Sequence, residues 1–216
     1  MNVHLKSSPY KGKLVVFEGT DGAGKTTLIN YAQSYLINNF GSDKVICLKQ
    51  PTDLSRKTKL FQKMMYSADN RDICYKAVQL LTLSDRVQHD YEIIRPALRE
   101  GKIVICDRYL YTSIANMLAR GYRREKWFFN AARSIVRPNC IFLATCPADQ
   151  AIDRIKKRPS EMNRFFDEIL LKKVHDEFLR MSKFYRFHVI DTSGSAENAF
   201  QRVTAILEKN LCLKRI

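Results

Sequence analysis

The ten residues Glu18–Thr27, EGTDGAGKTT, follow the apolar run KLVVF and precede a stretch with helical spacing, and no other segment constrains the fold as tightly. Gly19, Gly24, Lys25 and Thr26 satisfy G-x-x-x-x-G-K-[ST]. Glycines let the backbone curl so that successive N–H groups point inward at phosphate oxygens, and the following helix adds the positive end of its dipole. The loop residues Gly19, Thr20, Asp21, Gly22, Ala23, Gly24, Lys25, Thr26 and Thr27 are thus expected around ATP. Lys25 would reach the β and γ phosphates, and the Thr26 hydroxyl would ligate Mg²⁺.

The rest of the chain supplies the sheet that such a loop requires. Apolar runs at Lys13–Phe17, Val45–Leu48, Ile103–Cys106, Cys140–Ala144 and Phe187–Ile190 read as buried strands. Helical patterns alternate with them: from Lys25 until Gly41, then Asp72–Arg99, Thr112–Ala119, Glu125–Val136, Ala148–Lys157, Asp167–Lys183 and Ala196–Asn210. This alternation predicts a three-layer α/β/α fold with a five-stranded parallel sheet. In the longest helical segment Leu80, Ser84, Val87, Tyr91, Ile94 and Leu98 form one stripe expected to face the core, with Pro96 kinking or splitting the element. Trp127, Phe128, Ala131 and Ile135 are expected to share a core face. The run IVICD delivers Asp107 to the C-terminal end of a strand, where it should meet the phosphate loop near the metal.

Composition narrows the class. No apolar run approaches the roughly 20 residues that cross a bilayer, so no membrane partner is expected. The N-terminus, MNVHLKSSPYKGK, does not read as a secretory signal, which predicts a cytoplasmic protein. Six scattered cysteines without a C-x-x-C pair read as reduced packing residues, Cys47, Cys106 and Cys140 lying in or beside strands. Lys and Arg number 37 against 22 Asp and Glu, a formal charge of +15, which keeps nucleic acid open as a partner beside the plainer reading of a basic surface and a phosphate-binding site. The base-reading motif N-K-x-D of GTPases is not found, and a kinase would need a second anion site. Arg86, Arg108 and the cluster Arg154, Lys156, Lys157, Arg158 and Arg164 are the candidate cations.

EGTDGAGKTT, then KQP, SDRVQ, CDRYLYTS and DRIKKRP...NR, in that order and spacing, resemble the thymidylate kinase family from about Lys13 to Leu211. The resemblance implies a phosphate-loop kinase domain at residues 13–216 after an N-terminal extension at 1–12, with a short lid at about 154–166. It implies phosphoryl transfer from ATP to dTMP, with Mg²⁺, in a homodimer packed through helices. Residue by residue, Asp21 matches the acidic position near the acceptor sugar. Pro51 matches the proline that shapes the acceptor pocket, although Lys49 stands where arginine is usual. Arg86 matches the helix arginine assigned to the acceptor phosphate, and Asp107-Arg108-Tyr109 the junction of metal and acceptor. Arg154, Arg158 and Arg164 match the lid that closes over ATP, and because position 22 is glycine the catalytic arginine is expected from this lid.

Two positions depart from the family pattern. Thr82 stands where a phenylalanine stacks on thymine, and Asn116-Met117 replaces an aromatic-Gln pair. Either other aromatics, such as Tyr66, Tyr109 or Tyr111, rebuild the base pocket, or the acceptor differs. A kinase for another nucleotide or nucleoside is therefore the alternative, and a nucleotide-binding or nucleic-acid-associated module with little turnover is the alternative from outside the enzymes.

Overall fold

Side-chain alternation along the strands divides the core in two, as a sheet covered on both faces requires. The computed structural model describes residues 5, 7–67, 72–159 and 166–211. Five strands, β1 (Lys13–Glu18), β2 (Val45–Lys49), β3 (Ile103–Asp107), β4 (Cys140–Thr145) and β5 (His188–Asp191), form one sheet in the order β2-β3-β1-β4-β5. Every pairing is parallel. The helices are α1 (Lys25–Phe40), α2 (Asp53–Arg56), α3 (Lys59–Tyr66), α4 (Tyr75–His89) and α5 (Arg95–Arg99), followed by α6 (Leu110–Ala119), α7 (Lys126–Ala132), α8 (Ala148–Lys156), α9 (Glu168–Tyr185) and α10 (Ala196–Leu211).

On one face Val15, Phe17, Ile105 and Phe142 pack against Leu28, Ala32 and Leu36 of α1 and Val203 and Leu207 of α10. On the other Leu14, Val16, Val104 and Leu143 meet Val78 and Leu83 of α4, Ile114 of α6, Phe128 of α7 and Phe178 of α9. A satellite cluster of Ile152, Ile155 and Leu171 joins α8 to α9. This is the expected three-layer α/β/α arrangement.

The long helical segment departs from the expectation in phase. Leu80, Ser84 and Tyr91 of the predicted core stripe are exposed, and Val87 is half-buried. The buried face carries Tyr75, Val78, Gln79, Thr82, Leu83, Asp85 and Arg86, several of which are polar. Between α4 and α5 the residues Asp90–Ile94 form a π turn, with Pro96 just inside α5. Proline cannot donate to the carbonyl four residues earlier, and a π turn is the usual way a helix absorbs such a break. The wider turn shifts the phase of the residues beyond it, so Ile94 and Leu98 are buried although Tyr91 is not. It also turns Asp90 inward, where it accepts from Val136 N (3.2 Å) and pairs with Arg95 Nε (2.7 Å). The helix expected over Glu125–Val136 is shorter than its pattern: α7 stops at Ala132, and Ala132, not Ala131, is the buried alanine.

Cysteines behave as expected in the interior and not at the edge. Cys106 and Cys140 are buried, but Cys47 is exposed because β2 is an edge strand.

Candidate active site

The sheet register sets Phe17 of β1 beside Asp107 of β3, so both strands end at the phosphate loop. Asp107 Oδ1 is buried and has no hydrogen-bond partner among the described residues. A buried carboxylate oxygen left unpaired is costly unless a cation serves it, and the exposed Thr26 hydroxyl group belongs to the same cavity wall. Among the described residues no cluster of three or more His, Cys, Asp or Glu could hold a metal. One carboxylate and one hydroxyl suit Mg²⁺, which keeps water and phosphate ligands and needs few from protein.

Within the loop, Lys25 is buried and its Nζ donates to Thr20 O at 2.9 Å. Burial, with Arg108 nearby, lowers its pKa to about 8 against the opposing pull of Asp21, Asp107 and Glu18. Gly22 adopts φ 76°, and a Cβ there would lie 2.2 Å from Ala151 O of α8. No side chain fits at position 22 in this arrangement. Arg154 of α8 reaches back across this contact to Gly22 O (3.4 Å) and Thr192 O (2.8 Å), so α8 is fastened to the loop.

Arg108 follows β3 in the left-handed region, φ 67°, a conformation that costs a non-glycine residue about 1 kcal/mol or more and is tolerated where the surroundings hold it. Its N–H donates to Phe17 O (2.9 Å), Nη1 to Gly19 O (3.0 Å) and Thr112 Oγ1 (3.2 Å), and Nη2 to the Asp21 carboxylate. Burial opposes its charge, yet Asp21, Asp107 and Glu18 together raise its pKa. Asp21 and Arg108, expected at the acceptor, are therefore one ion pair in the cavity wall.

Sequence reasoning missed Glu18 as a functional residue. Its carboxylate is fully buried and accepts from Tyr109 N (2.9 Å), Thr112 N (3.2 Å) and Thr112 Oγ1 (2.5 Å). These are donors of the first turn of α6, so Glu18 caps that helix from another element. Burial raises its pKa, against the pull of Thr112 and Arg108.

A cavity of about 1110 Å³ runs from the loop past Pro51 along the inner face of α4. Arg86 is almost wholly buried in its wall, donating from Nη1 to Thr82 O (2.9 Å) and from Nε to Tyr109 O (3.3 Å). Arg56 of α2 is a cation that sequence reasoning missed. It reaches Pro51 O (2.6 Å) and lines the cavity, as do Lys49 and Arg158. The Pro51 segment is held by Asp85, which accepts from Thr52 N and Thr52 Oγ1, both at 2.8 Å. At the far end Tyr75, Gln79, Thr82, Asn116 and Arg120 line the wall, with the Arg120 guanidinium 4.2 Å from the Tyr75 ring centroid.

Not every anticipated aromatic is there. The Tyr109 side chain enters the core, where its hydroxyl donates to Val136 O (2.8 Å); only its backbone serves the site. Tyr111 packs with Tyr185 and Phe187 in the core. Tyr66 does line the cavity. Arg164 lies outside the described residues.

Comparison with known proteins agrees with this arrangement. Residues 17–203 match the family model described as thymidylate kinase. A probable thymidylate kinase of Pyrococcus horikoshii is 34% identical over 210 residues, covering 93% of this chain and 98% of that protein. A thymidylate kinase of Brachyspira hyodysenteriae is 31% identical over 204 residues, covering 94% and 97%. In fold, the crystal structure of thymidylate kinase from Ehrlichia chaffeensis superimposes with a TM-score of 0.67 at 24% identity, covering 91% of this chain and 98% of that one.

Proposed function

The chain belongs to the thymidylate kinase family, and from that premise we propose that it moves the γ-phosphoryl group of ATP onto dTMP to give dTDP. The observation that carries the reading is the continuous cavity that joins the phosphate loop to a second set of cations, Arg56, Arg86 and Arg108. Two phosphates brought together there repel each other unless their charge is met by fixed cations, and positioning with charge stabilisation is nearly all that phosphoryl transfer asks of a protein.

In this reading Lys25 and the loop N–H groups hold the donor phosphates. Arg108, oriented by Asp21, Gly19 O and Thr112, stands between donor and acceptor, and Asp21 organises the acceptor sugar. Thr26 and Asp107 would hold Mg²⁺, which would supply neutralisation of the phosphate charge. Arg86 and Arg56 meet the acceptor along its length, with Pro51 shaping the wall. Arg158, with Arg164 from the lid, supplies the cation that meets charge developing on the transferring group, and Arg154 keeps the lid helix against the loop. Closure excludes water and protects ATP from hydrolysis.

We further assign the protein to the cytoplasm, where ATP is available, and to a homodimer, since Leu80 of α4 and Tyr91 of the turn after it, on one side of the element, are exposed. Among the described residues no helix is long and apolar enough to cross a membrane. The basic surplus is partly used by the site itself, where Lys25, Lys49, Arg120 and Arg158 join the three arginines already named.

The test is ATP consumption against dTMP, dUMP, dCMP, dGMP, nucleosides and short oligonucleotides, with Lys25→Ala as the control. dTMP should be the best acceptor, and Lys25→Ala should lower turnover by orders of magnitude in a folded protein. Preference for another monophosphate would replace dTMP as the acceptor. No turnover with any acceptor, or near-normal turnover in Lys25→Ala, would overturn the kinase reading.

A further inference from the structure

Asp85 of α4 is a carboxylate that the phosphoryl-transfer scheme leaves without a task. It is 1% exposed, and both of its oxygens are spent on one residue of another element: Oδ2 accepts from Thr52 N and Oδ1 from Thr52 Oγ1, both at 2.8 Å. A buried carboxylate is costly unless donors meet it, and only a group with two acceptor oxygens can take the N–H and the O–H of a single threonine together. Asparagine in its place would turn an NH2 group towards one of those donors.

The threonine passes this restraint on. Its hydroxyl proton goes to Asp85, which leaves an oxygen lone pair for Leu54 N (3.2 Å), and Thr52 thereby caps α2. α2 has four residues, Asp53–Arg56, too few to hold helical geometry alone, so its place is set by what fastens it. The fastening comes from α4: besides the Asp85 pair, Ser55 Oγ donates to Leu81 O (3.4 Å). The last residue of α2 is Arg56. Its Nε donates to Pro51 O (2.6 Å), and its guanidinium lies 5.9 Å from the centroid of the Phe61 ring, a second group of the cavity wall. Burial, with Arg108 nearby, lowers the pKa of Arg56 against the pull of Asp107, Asp21 and Asp53, which places this cation at the phosphate-loop end of the cavity.

We propose that Asp85 is a positioning residue for Arg56, holding that cation towards the acceptor through the Thr52 cap of α2. The proposal rests on the kinase reading above and adds to it a residue that acts without touching either substrate, since neither Asp85 nor Thr52 lines the cavity. α4 then contributes two arginines to the site, Arg86 directly and Arg56 by way of Asp85.

The experiment measures kcat, the KM for ATP and the KM for dTMP, or for the monophosphate that the acceptor panel shows to be preferred. The proteins are the wild type, Asp85→Asn, Thr52→Val, Thr52→Ser, Arg56→Ala and the double variant Asp85→Asn with Arg56→Ala, each checked by thermal melting. Arg56→Ala should raise the acceptor KM roughly ten-fold or more, the scale of a hydrogen bond to a charged group. Asp85→Asn and Thr52→Val should each raise it about five-fold or more with the KM for ATP nearly unchanged, while Thr52→Ser, which keeps the hydroxyl, should stay close to wild type. The double variant should be no worse than Arg56→Ala alone, because Asp85 then has no cation left to place. Should Asp85→Asn not fold, Thr52→Val with and without Arg56→Ala carries the same comparison. Wild-type kinetics in folded Asp85→Asn and Thr52→Val, equal rises in both KM values, or additive losses in the double variant would overturn the proposal while leaving the kinase reading standing. A wild type that turns over no acceptor would overturn the functional reading and this proposal with it.

Discussion

Lys25 holds an ammonium group in a place with almost no water, and burial lowers its pKa to about 8. Only the charged form can grip the donor phosphates. The sign follows: as pH rises through about 8 the free enzyme loses the proton, so kcat/KM for ATP should fall, since that constant reports free-enzyme groups. Bound phosphates favour the charged form, so kcat at saturating ATP should hold to higher pH. A kcat/KM flat to about pH 9.5 would contradict the assignment. Thr82 makes a second residue-scale case. It lines the cavity within one turn of Arg86, and Thr82→Phe should restore a ring worth about 1 to 3 kcal/mol of stacking, lowering the KM for dTMP roughly ten-fold. A higher KM in a folded variant would mean the space is already filled by neighbours. Thr82 stands out in the sequence because it breaks a family pattern next to a named arginine. Gln79, Arg56 and Glu18 do not, because nothing in the residue types around a lone Gln, Arg or Glu says that it will be buried. Their surroundings arise only when α2, α4 and β1 are brought together, Arg56 and Gln79 on the cavity and Glu18 beneath α6.

At the scale of elements, strands are more legible than helices. β1, β3 and β4 are buried along nearly their whole length, so each appears as an unbroken apolar run and its ends fall within about one residue of the pattern. α4 misleads for the opposite reason: its inner face carries polar residues that line the cavity, and Leu80 looks outward. The π turn, which the sequence announces only through Pro96, then moves the phase again. α6 depends on a contact of the least legible kind, the Glu18 carboxylate at its N-terminus. Glu18→Ala should leave three donors, one buried and two part-buried, without their acceptor and destabilise the fold by about 3 kcal/mol, about 6 to 12 °C in Tm for a chain of this size. Glu18→Gln, which keeps an acceptor oxygen, should cost less. An Ala variant melting within about 2 °C of wild type would show that α6 needs no such anchor. The role proposed for Arg158 gives a kinetic counterpart: Arg158→Ala should reduce kcat more than it raises the acceptor KM, because a cation that meets transition-state charge adds little to ground-state binding. An unchanged kcat would assign that charge to another residue.

For the molecule as a whole, the outward apolar stripe of α4 and the π turn is the feature that a single chain leaves unexplained. Leu80 is 56% exposed and Tyr91 67%, with Val87 between them half-buried against the core. Scattered apolar residues on a surface need no explanation, but a stripe that follows one long element does. The stripe lies on the reverse of the face that carries Gln79, Thr82 and Arg86, so a second copy packed there would brace the helix that lines the acceptor cavity without closing the cavity mouth. A twofold interface presents the same patch from both partners, and apolar stripes on helices are well suited to such self-complementary packing. Double substitution Leu80→Glu with Tyr91→Glu places like charges at the centre of that patch and touches no residue of the cavity. Sedimentation should show a dimer for the wild type and a monomer for the double variant, both melting as folded proteins. The monomer should also bind dTMP more weakly, because α4 loses its support. A wild type that sediments as a monomer, or a double variant that remains dimeric, would rule out this face as the interface.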